Sequence, residues 1–425
     1  MSVFRSARRC VVARVIAFAL FADPVAGISA QPHAGSLAPQ ALRDGLQSAW
    51  KSHPLHAVTE AQQAAASARR DAARRPLYNP ELELAVDNEG EDRTATAGVR
   101  LSLDLSGKRR ARSQAADANV AESLAEAGQR RRDFVRDWFA AWTNLRTANE
   151  RIRIGERRLA LVSRFAELAD RQFAADDISG LERDLAVLAQ DEARVQQSEL
   201  EAARSDAEAQ LSALGGSIEP LDAIVLQTDN LPTSAIASSD PQRQPEWQVA
   251  EARIQARLRD VDVARRNRIA DPSLAISSGR IDYGSFRDTV FGVSLSVPLF
   301  VRNSHAAEVL AAEADVAAAD AEIAAVRLRI DAERARAQRN YVSSRLAWAR
   351  WQSSRGTDVE HRAQLLERLW REGELSTADT LLQLRQTLDT ALAGAELEAR
   401  VWRDYSDTLA AAGQLERWFG LENTP

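Results

Sequence analysis

Cysteine and methionine are almost absent from the sequence. The 425 residues include one of each, Cys10 and Met1, and both stand at the N-terminus. A chain that loses this region has no thiol, so it forms no disulfide and offers no thiolate to a metal. The five histidines are scattered, and the nearest pair, His53 and His56, is more typical of surface groups than of metal ligands. We therefore predict no metal site and no bound cofactor.

Long apolar runs are also missing. After the N-terminal region, no stretch of about 18 apolar residues occurs, so no transmembrane helix is predicted. The formal net charge is -6, which disfavours nucleic acid as the main partner. A Gly-rich phosphate loop, a nucleophile elbow and a Ser/His/Asp grouping are all absent from the sequence. We therefore predict that the protein is not an enzyme.

Proline is absent from two long tracts, Pro80–Pro220 and Pro298–Pro425, apart from the residues that bound them. Because a proline inside a helix costs about 3 kcal/mol, its absence permits long uninterrupted helices. The sequence predicts one helix from Gly107 to Gln172 and another from Asn303 to Trp370. Apolar residues at coiled-coil spacing within and after these tracts predict that the helices pack in long hairpins.

The N-terminal region has the order of a secretory signal peptide. Arg5, Arg8 and Arg9 precede an apolar run from Val11 to Ala22, and small residues follow up to Ala30. We predict a signal peptide over residues 1–30. An ordinary amphipathic first helix is the alternative, because an arginine interrupts the apolar run.

Four segments alternate apolar and polar residues with a period of two. They begin near Glu81, Ala95, Ser273 and Thr289, and the two longer ones run to Leu105 and Leu299. A period of two predicts β-strands with one apolar and one polar face. Strands of about ten residues have the length that a tilted strand needs to cross a bilayer, although a soluble sheet over a core gives the same alternation.

The strands and helices occur twice, at an offset of about 192 to 197 residues, which indicates a tandem duplication. Each copy is predicted to contain a helix, a strand pair and a long helical hairpin. We place the first copy at residues 31–214 and the second at residues 246–425. The Pro- and Ser-rich residues 215–245 form the predicted linker, with a short strand near residues 223–227.

This duplicated order resembles the TolC family of outer-membrane efflux proteins. The resemblance rests on "NPELEL" at the first strand, "LSLDLSGKRRAR" after the second, "VSLSVPLF" at the fourth, and the turns "FAADDIS" and "WREGELSTAD". It extends over nearly the whole chain after the signal. The first two segments are most like the subgroup that serves heavy-metal exporters of the cobalt, zinc and cadmium type.

The resemblance implies an α+β membrane protein with an internal duplication. Three identical chains would each give four strands to one twelve-stranded barrel in outer-membrane lipid, continued by a long α-helical tunnel in the periplasm. The expected function is a passive exit duct for heavy-metal cations, with a periplasmic adaptor protein and an inner-membrane efflux pump as partners. A drug or protein export channel of the same fold, and a periplasmic coiled-coil scaffold or adaptor, remain the alternatives.

The resemblance also assigns candidate functional residues to the two helix turns. Adaptor contacts are expected from Phe173, Asp176, Ile178 and Ser179 in the first turn, and from Trp370, Gly373, Leu375 and Ser376 in the second. Asp379 matches the acidic ring that constricts the tunnel tip in the family, and Glu182 is its counterpart in the first copy. A solvated helix face is the alternative for both carboxylates.

Overall fold

The computed structural model describes residues 37–90, 92–216, 224, 226–228, 231–232, 240–353 and 359–421. The predicted signal peptide lies outside these residues. The elements, in chain order, are α1 Gln40–Ser52, α2 Pro54–Ala73, β1 Glu81–Glu89, β2 Asp92–Ser102, α3 Lys108–Ala174, α4 Gly180–Ala213, α5 Pro245–Asn267, β3 Ser273–Asp282, β4 Arg287–Ser296, α6 Ala306–Ser353, α7 Val359–Arg371, α8 Thr377–Ala411 and α9 Leu415–Trp418.

The first predicted long helix is α3. Its 67 residues span about 100 Å at 1.5 Å per residue. It begins after Gly107, whose φ of +74° suits glycine, and the Asp104 carboxylate accepts the backbone N–H groups of Lys108 and Arg109 at 2.8 Å each. The helix therefore starts at a fixed angle to the strand that precedes it.

The second long tract forms α6 and α7 on either side of residues 354–358, which lie outside the described residues, so its continuity stays a prediction. α6 begins three residues later than predicted. The Asn303 side chain accepts the backbone N–H of His305 at 3.0 Å, and His305 has a φ of +51°. This local turn competes with the helix and delays its start.

The four strands form one antiparallel sheet in the order β1-β2-β3-β4. The predicted strand positions are confirmed, but two ends differ. β2 ends at Ser102. The next residue, Leu103, donates its N–H to the carbonyl oxygen of Pro272 at 2.9 Å. Pro272 has no N–H to donate in return, so the pairing of the strands stops there. β4 ends at Ser296, two residues before Pro298. The two strands of the first hairpin are separated by two residues and those of the second by four, so β2 begins at Asp92, three residues before the predicted Ala95.

The main hydrophobic core lies where α1, α3, α6, α8 and α9 meet. Its largest fully buried side chains include Trp138, Phe139, Tyr341, Phe419, Leu42 and Leu46. The described part of the linker joins this core: Leu226 is buried, and Thr228 accepts the Trp402 indole N–H at 3.0 Å. The predicted short strand falls partly outside the described residues, and Leu226 and Gln227 lie in no strand.

Candidate functional site

The first helix turn joins α3 to α4 through Asp176, whose φ of +61° is unusual for a residue other than glycine. Ser179 begins α4 with a capping box. The Ser179 backbone N–H donates to the Glu182 carboxylate at 2.8 Å, and the Glu182 backbone N–H donates to the Ser179 hydroxyl at 3.3 Å. Glu182 is therefore held in the turn and does not extend freely into solvent.

Glu182 also lies beside the second turn. The Ser179 backbone N–H and then the Ser179 hydroxyl lower the pKa of Glu182 most, because each stabilises the ionised carboxylate, and the buried Thr377 hydroxyl lowers it further. The Trp370 indole N–H donates to the Thr377 hydroxyl oxygen at 3.1 Å. The first and second helix turns therefore lie next to each other at Glu182 and Thr377.

The second turn has the same design with glycine at the left-handed position. Gly373 has a φ of +75° and occupies the place that Asp176 takes in the first copy. Ser376 begins α8, its hydroxyl donates to the Asp379 carboxylate at 2.7 Å, and the Asp379 backbone N–H donates to the Ser376 hydroxyl at 3.1 Å. Asp379 is exposed. Both predicted acidic residues consequently have a local role as helix caps.

The predicted adaptor-contacting residues divide into exposed and packed groups. Exposed members are Phe173, Asp176, Ser179, Gly373 and Ser376, whereas Ile178 and Leu375 are half-buried and Trp370 is buried. The Trp370 ring packs on the Phe165 ring with centroids 4.0 Å apart.

Phe173 stays 41% exposed beneath the guanidinium of Arg183, which lies 5.5 Å from the ring centroid. Arg183 is itself held by Asp170 at 2.8 Å. Of the two corresponding aromatic side chains of the turns, Phe173 is thus exposed and Trp370 is buried.

The sheet has two distinct faces. Neighbouring residues across the four strands form rows, and the row Leu82–Val99–Ile276–Val293 alternates with the row Glu83–Gly98–Ser277–Gly292. We name the first side the apolar face; its large exposed members are Leu82, Leu84, Val86, Val99, Leu101, Leu274, Ile276, Phe291, Val293 and Leu295. Among the described residues no helix covers this face: Val293 and Phe291 are 75% and 80% exposed. A soluble sheet would bury such a face in a core, so the soluble alternative for the strands is disfavoured.

The opposite side, the polar face, has little room between strands. A Cβ placed on Gly98 would lie 2.8 Å from the carbonyl oxygen of Ile276, and one on Gly279 would collide with the carbonyl oxygen of Ala95. A side chain larger than hydrogen at either position would therefore press on the neighbouring strand. Glycine at such positions lets a sheet bend. All four acidic residues of β1 (Glu81, Glu83, Asp87 and Glu89) fall on this face, and Arg100 pairs with Glu83 at 2.7 Å.

A buried ion pair fixes the sheet to the helices. The Lys108 ammonium, at the start of α3, lies 2.9 Å from the Asp271 carboxylate, just before β3, and both side chains are largely buried. Tyr78 donates its hydroxyl to the same carboxylate at 2.5 Å. This hydrogen bond, with burial and the Asp271 charge, raises the pKa of Tyr78 to about 12. Residues before β1, after β2 and before β3 thus converge on one carboxylate.

None of the helices formed by the described residues is long and apolar enough to cross a membrane. Within the described part of the chain, no group of three His, Cys, Asp or Glu side chains is placed to hold a metal ion.

Residues 45–217 match the family model described as outer membrane efflux protein. Over these residues the chain is similar to the outer membrane efflux proteins. The resemblance seen in the sequence is confirmed, and so is the predicted location: the protein is in the outer membrane, with its helical part in the periplasm. The outer membrane efflux proteins are channels and not enzymes, as predicted.

Two curated relatives are named as metal-resistance proteins. The chain is 26% identical over 238 residues to the cobalt-zinc-cadmium resistance protein CzcC of Cupriavidus metallidurans, covering 54% of this chain and 56% of CzcC. It is 30% identical over 248 residues to the nickel and cobalt resistance protein CnrC of the same organism, covering 56% and 59%. The chain thus spans less than two thirds of the length of the curated relatives that it matches.

Solved outer-membrane channels share the fold of this chain. A membrane protein from Pseudomonas aeruginosa has a TM-score of 0.73 at 20% identity and covers 89% of this chain and 94% of its own. The Campylobacter jejuni CmeC outer membrane channel has a TM-score of 0.73 at 16% identity, with 88% and 86% covered. CusC has a TM-score of 0.72 at 16% identity, with 90% and 93% covered. The predicted α+β fold, a four-stranded sheet continued by long helices, is confirmed.

Proposed function

We propose that three copies of this chain form an outer-membrane exit duct, through which a tripartite efflux system releases heavy-metal cations. The observation that carries the proposal is the exposed apolar face of a four-stranded sheet with two unpaired edges, β1 and β4. In lipid an open sheet edge leaves backbone groups without partners, so the sheet must close on other sheets. Twelve strands from three chains complete such a barrel, with the apolar face toward lipid and the polar face toward the lumen.

The duplication at residues 31–214 and 246–425 fits this assembly. Each copy contributes one strand pair to the barrel and one helical hairpin to the tunnel, so three chains give six similar hairpins. Residues 215–245 then connect the two copies. The proposed partners at the open end of the tunnel are a periplasmic adaptor and an inner-membrane pump, with the exposed turn residues Phe173, Asp176 and Ser376 at the contact.

Two observations favour cations as the cargo. The curated relatives carry resistance to cobalt, zinc, cadmium and nickel in their names. The polar face of β1 carries four acidic side chains, whereas Arg100 is the only basic residue of β1 or β2 on that face. Acidic linings raise the local concentration of cations and oppose anions. A duct needs no ligand cluster, because it conducts cargo without holding it.

The assembly is tested by the mass of the mature chain, extracted from outer membranes in a mild detergent and measured by light scattering with the detergent contribution removed. A trimer that requires detergent for extraction is the expected result. A soluble monomer or dimer in the periplasmic fraction would contradict the barrel and favour the scaffold alternative. A deletion strain is then expected to become sensitive to cobalt, zinc, cadmium or nickel; sensitivity to drugs alone would indicate the drug-export alternative.

Replacing Asp379 by asparagine is expected to lower the cation selectivity of the channel. Asparagine keeps an oxygen that can bond with Ser376, so the helix cap survives, whereas three negative charges leave the proposed constriction. Reversal potentials across planar bilayers under a salt gradient measure the selectivity. Asp184→Asn, an exposed carboxylate on α4, is the control with the same charge change. Equal selectivity in the unmodified, Asp379→Asn and Asp184→Asn channels would mean that Asp379 does not line the pore.

The first helix turn, in which the Glu182 carboxylate accepts hydrogen bonds from Ser179, is expected to loosen on acidification. The pKa of Glu182 is lowered from its usual 4.5, so its stabilising effect is complete above about pH 4.5 and is lost as the pH falls through the lower folded value. Glu182→Gln should loosen the turn at pH 7 and remove the acid-dependent part. Hydrogen exchange of the peptide 173–183, corrected for intrinsic rates, measures this. An acid response that persists in Glu182→Gln would assign it to another group.

A further inference from the structure

The arginines of the strand turns lie on the apolar face. Arg93 on β2 is the neighbour of Asp282 on β3, which is the neighbour of Arg287 on β4, so these three side chains form one row. Arg280 stands two residues before Asp282 on the same face. In contrast, β1 carries its acidic residues on the polar face. The three arginines near the hairpin turns thus lie on the apolar face, whereas the acidic residues of β1 lie on the polar face.

This row marks the outer limit of the apolar face. The strand ends at Ser102 and Ser273 lead to helices, whereas Arg93 and Arg287 adjoin the hairpin turns at the other end. From Arg93 to Leu103 the chain advances about 33 Å along an extended strand, or about 25 Å in height at a tilt of about 40°. That height equals the apolar band of an outer-membrane barrel. The arginines therefore lie at the level where the outer leaflet changes from acyl chains to headgroups.

The arginines are accessible at this level. Arg93, Arg280 and Arg287 are exposed, and Arg287 bonds to Asp282 at 2.9 Å. Arg93 and Arg280 form no ion pair or hydrogen bond with another side chain of the described residues. With strands about 4.8 Å apart, the three guanidinium groups start within about 10 Å of one another. One acid among three bases leaves a local positive charge.

We propose that Arg93, Arg280 and Arg287 form a docking surface for the phosphate groups of lipopolysaccharide in the outer leaflet. Guanidinium groups bind phosphate oxygens in a bidentate manner, and acyl chains of the same lipid would cover the apolar rows below, such as Leu84–Ala97–Ser278–Phe291. One molecule can satisfy both requirements, whereas a free anion satisfies only the first. The inference rests on the barrel and its orientation, which belong to the proposed function.

The test uses the full-length protein in detergent after its trimeric mass has been measured, so that failure of the barrel is seen before lipid is added. Purified lipopolysaccharide is titrated onto immobilised trimer, in its native and in its dephosphorylated form. The variant R93Q/R280Q/R287Q is expected to bind native lipopolysaccharide about tenfold or more weakly than the unmodified protein, since each basic residue near an anionic surface contributes measurably. Binding of the dephosphorylated lipid should be equal in both.

A matched control removes three exposed arginines from the helices, as R157Q/R171Q/R204Q, with the same change of net charge. The control should bind native lipopolysaccharide as the unmodified protein does. The inference is overturned if the strand variant keeps full affinity or if the control loses as much. It is also overturned if millimolar inorganic phosphate displaces the lipid completely, because the surface would then be a simple anion site.

Discussion

Replacing Val293 by arginine is expected to prevent assembly of the protein in the outer membrane. Val293 lies in the middle of the apolar face, six residues from Arg287 and six from Leu299 on the chain, and is 75% exposed. An arginine at the bilayer midplane costs about 2 to 4 kcal/mol on the lipid side of a barrel, so three copies cost about 6 to 12 kcal/mol per trimer. This approaches the whole stability of a typical folded domain.

The neighbouring Ser294 provides the matched control. It lies on the polar face of the same strand, in the row of Glu81, Arg100 and Ala275. Ser294→Arg makes an equally large side chain face the lumen, where water and acidic residues solvate it. We expect detergent-extractable trimer from Ser294→Arg and little or none from Val293→Arg, measured by fractionation and light scattering. Similar yields from both variants would mean that the apolar face does not contact lipid.

Val293 and Ser294, adjacent residues on opposite faces, show why the strands could be predicted from the sequence. A period of two sorts side chains to two faces whatever covers them, so the strand positions and the identity of each face follow from local pattern. What covers the apolar face does not follow, because a core and a membrane select the same residues. The structure separates the two cases by the exposure of Phe291 and Val293.

The strand and helix ends were predicted less well, for physical reasons that lie in single residues. Pro272 and Pro298 lack the N–H that a ladder needs, and these residues end β2 and β4 earlier than the apolar alternation does. The side chain of Asn303 delays α6 in the same way. Such effects compete with periodicity over one or two residues and do not change the fold.

At the turns, part of the geometry could have been read from the sequence. "SGLE" and "STAD" both place an acidic residue three positions after a serine, which is the pattern of a capping box. The pattern gives Glu182 and Asp379 a structural role in addition to the proposed one in the pore. The proximity of Thr377 to Glu182 could not be predicted, because these residues belong to different copies and their separation depends on the packing of α3, α4 and α8.

The helix turns of the two copies differ at corresponding positions. At positions 197 residues apart, Phe173 corresponds to Trp370 and Gly180 corresponds to Thr377. The second copy thus has an indole donor and a hydroxyl that the first copy lacks, and the two form a hydrogen bond of 3.1 Å with each other. In the second turn Trp370 is buried, whereas Phe173 in the first turn is exposed.

The junction between sheet and helices yields the second prediction of large effect. Lys108→Met would leave the Asp271 carboxylate, whose side chain is 5% exposed, with the Tyr78 hydroxyl but without a counter-charge. Removing one partner of a buried ion pair costs about 3 to 5 kcal/mol, because the remaining charge is not solvated. A marked fall in the melting temperature of the purified trimer is expected. Lys51→Met, which removes an exposed lysine from α1, should melt as the unmodified protein does.

A second variant distinguishes loss of the ion pair from loss of packing. In K108M/D271N the residue at 271 is neutral and can still accept the Tyr78 hydroxyl, so most of the lost stability should return. The pKa of Tyr78, raised to about 12 mainly by its bond to Asp271, should fall toward 10 in this variant, as an absorbance titration of the tyrosines would detect. If the double variant melted no higher than K108M, the packing of the lysine stem and not the buried charge would hold the sheet to the helices. A recovery would instead mean that Asp271 joins the two copies mainly by its charge.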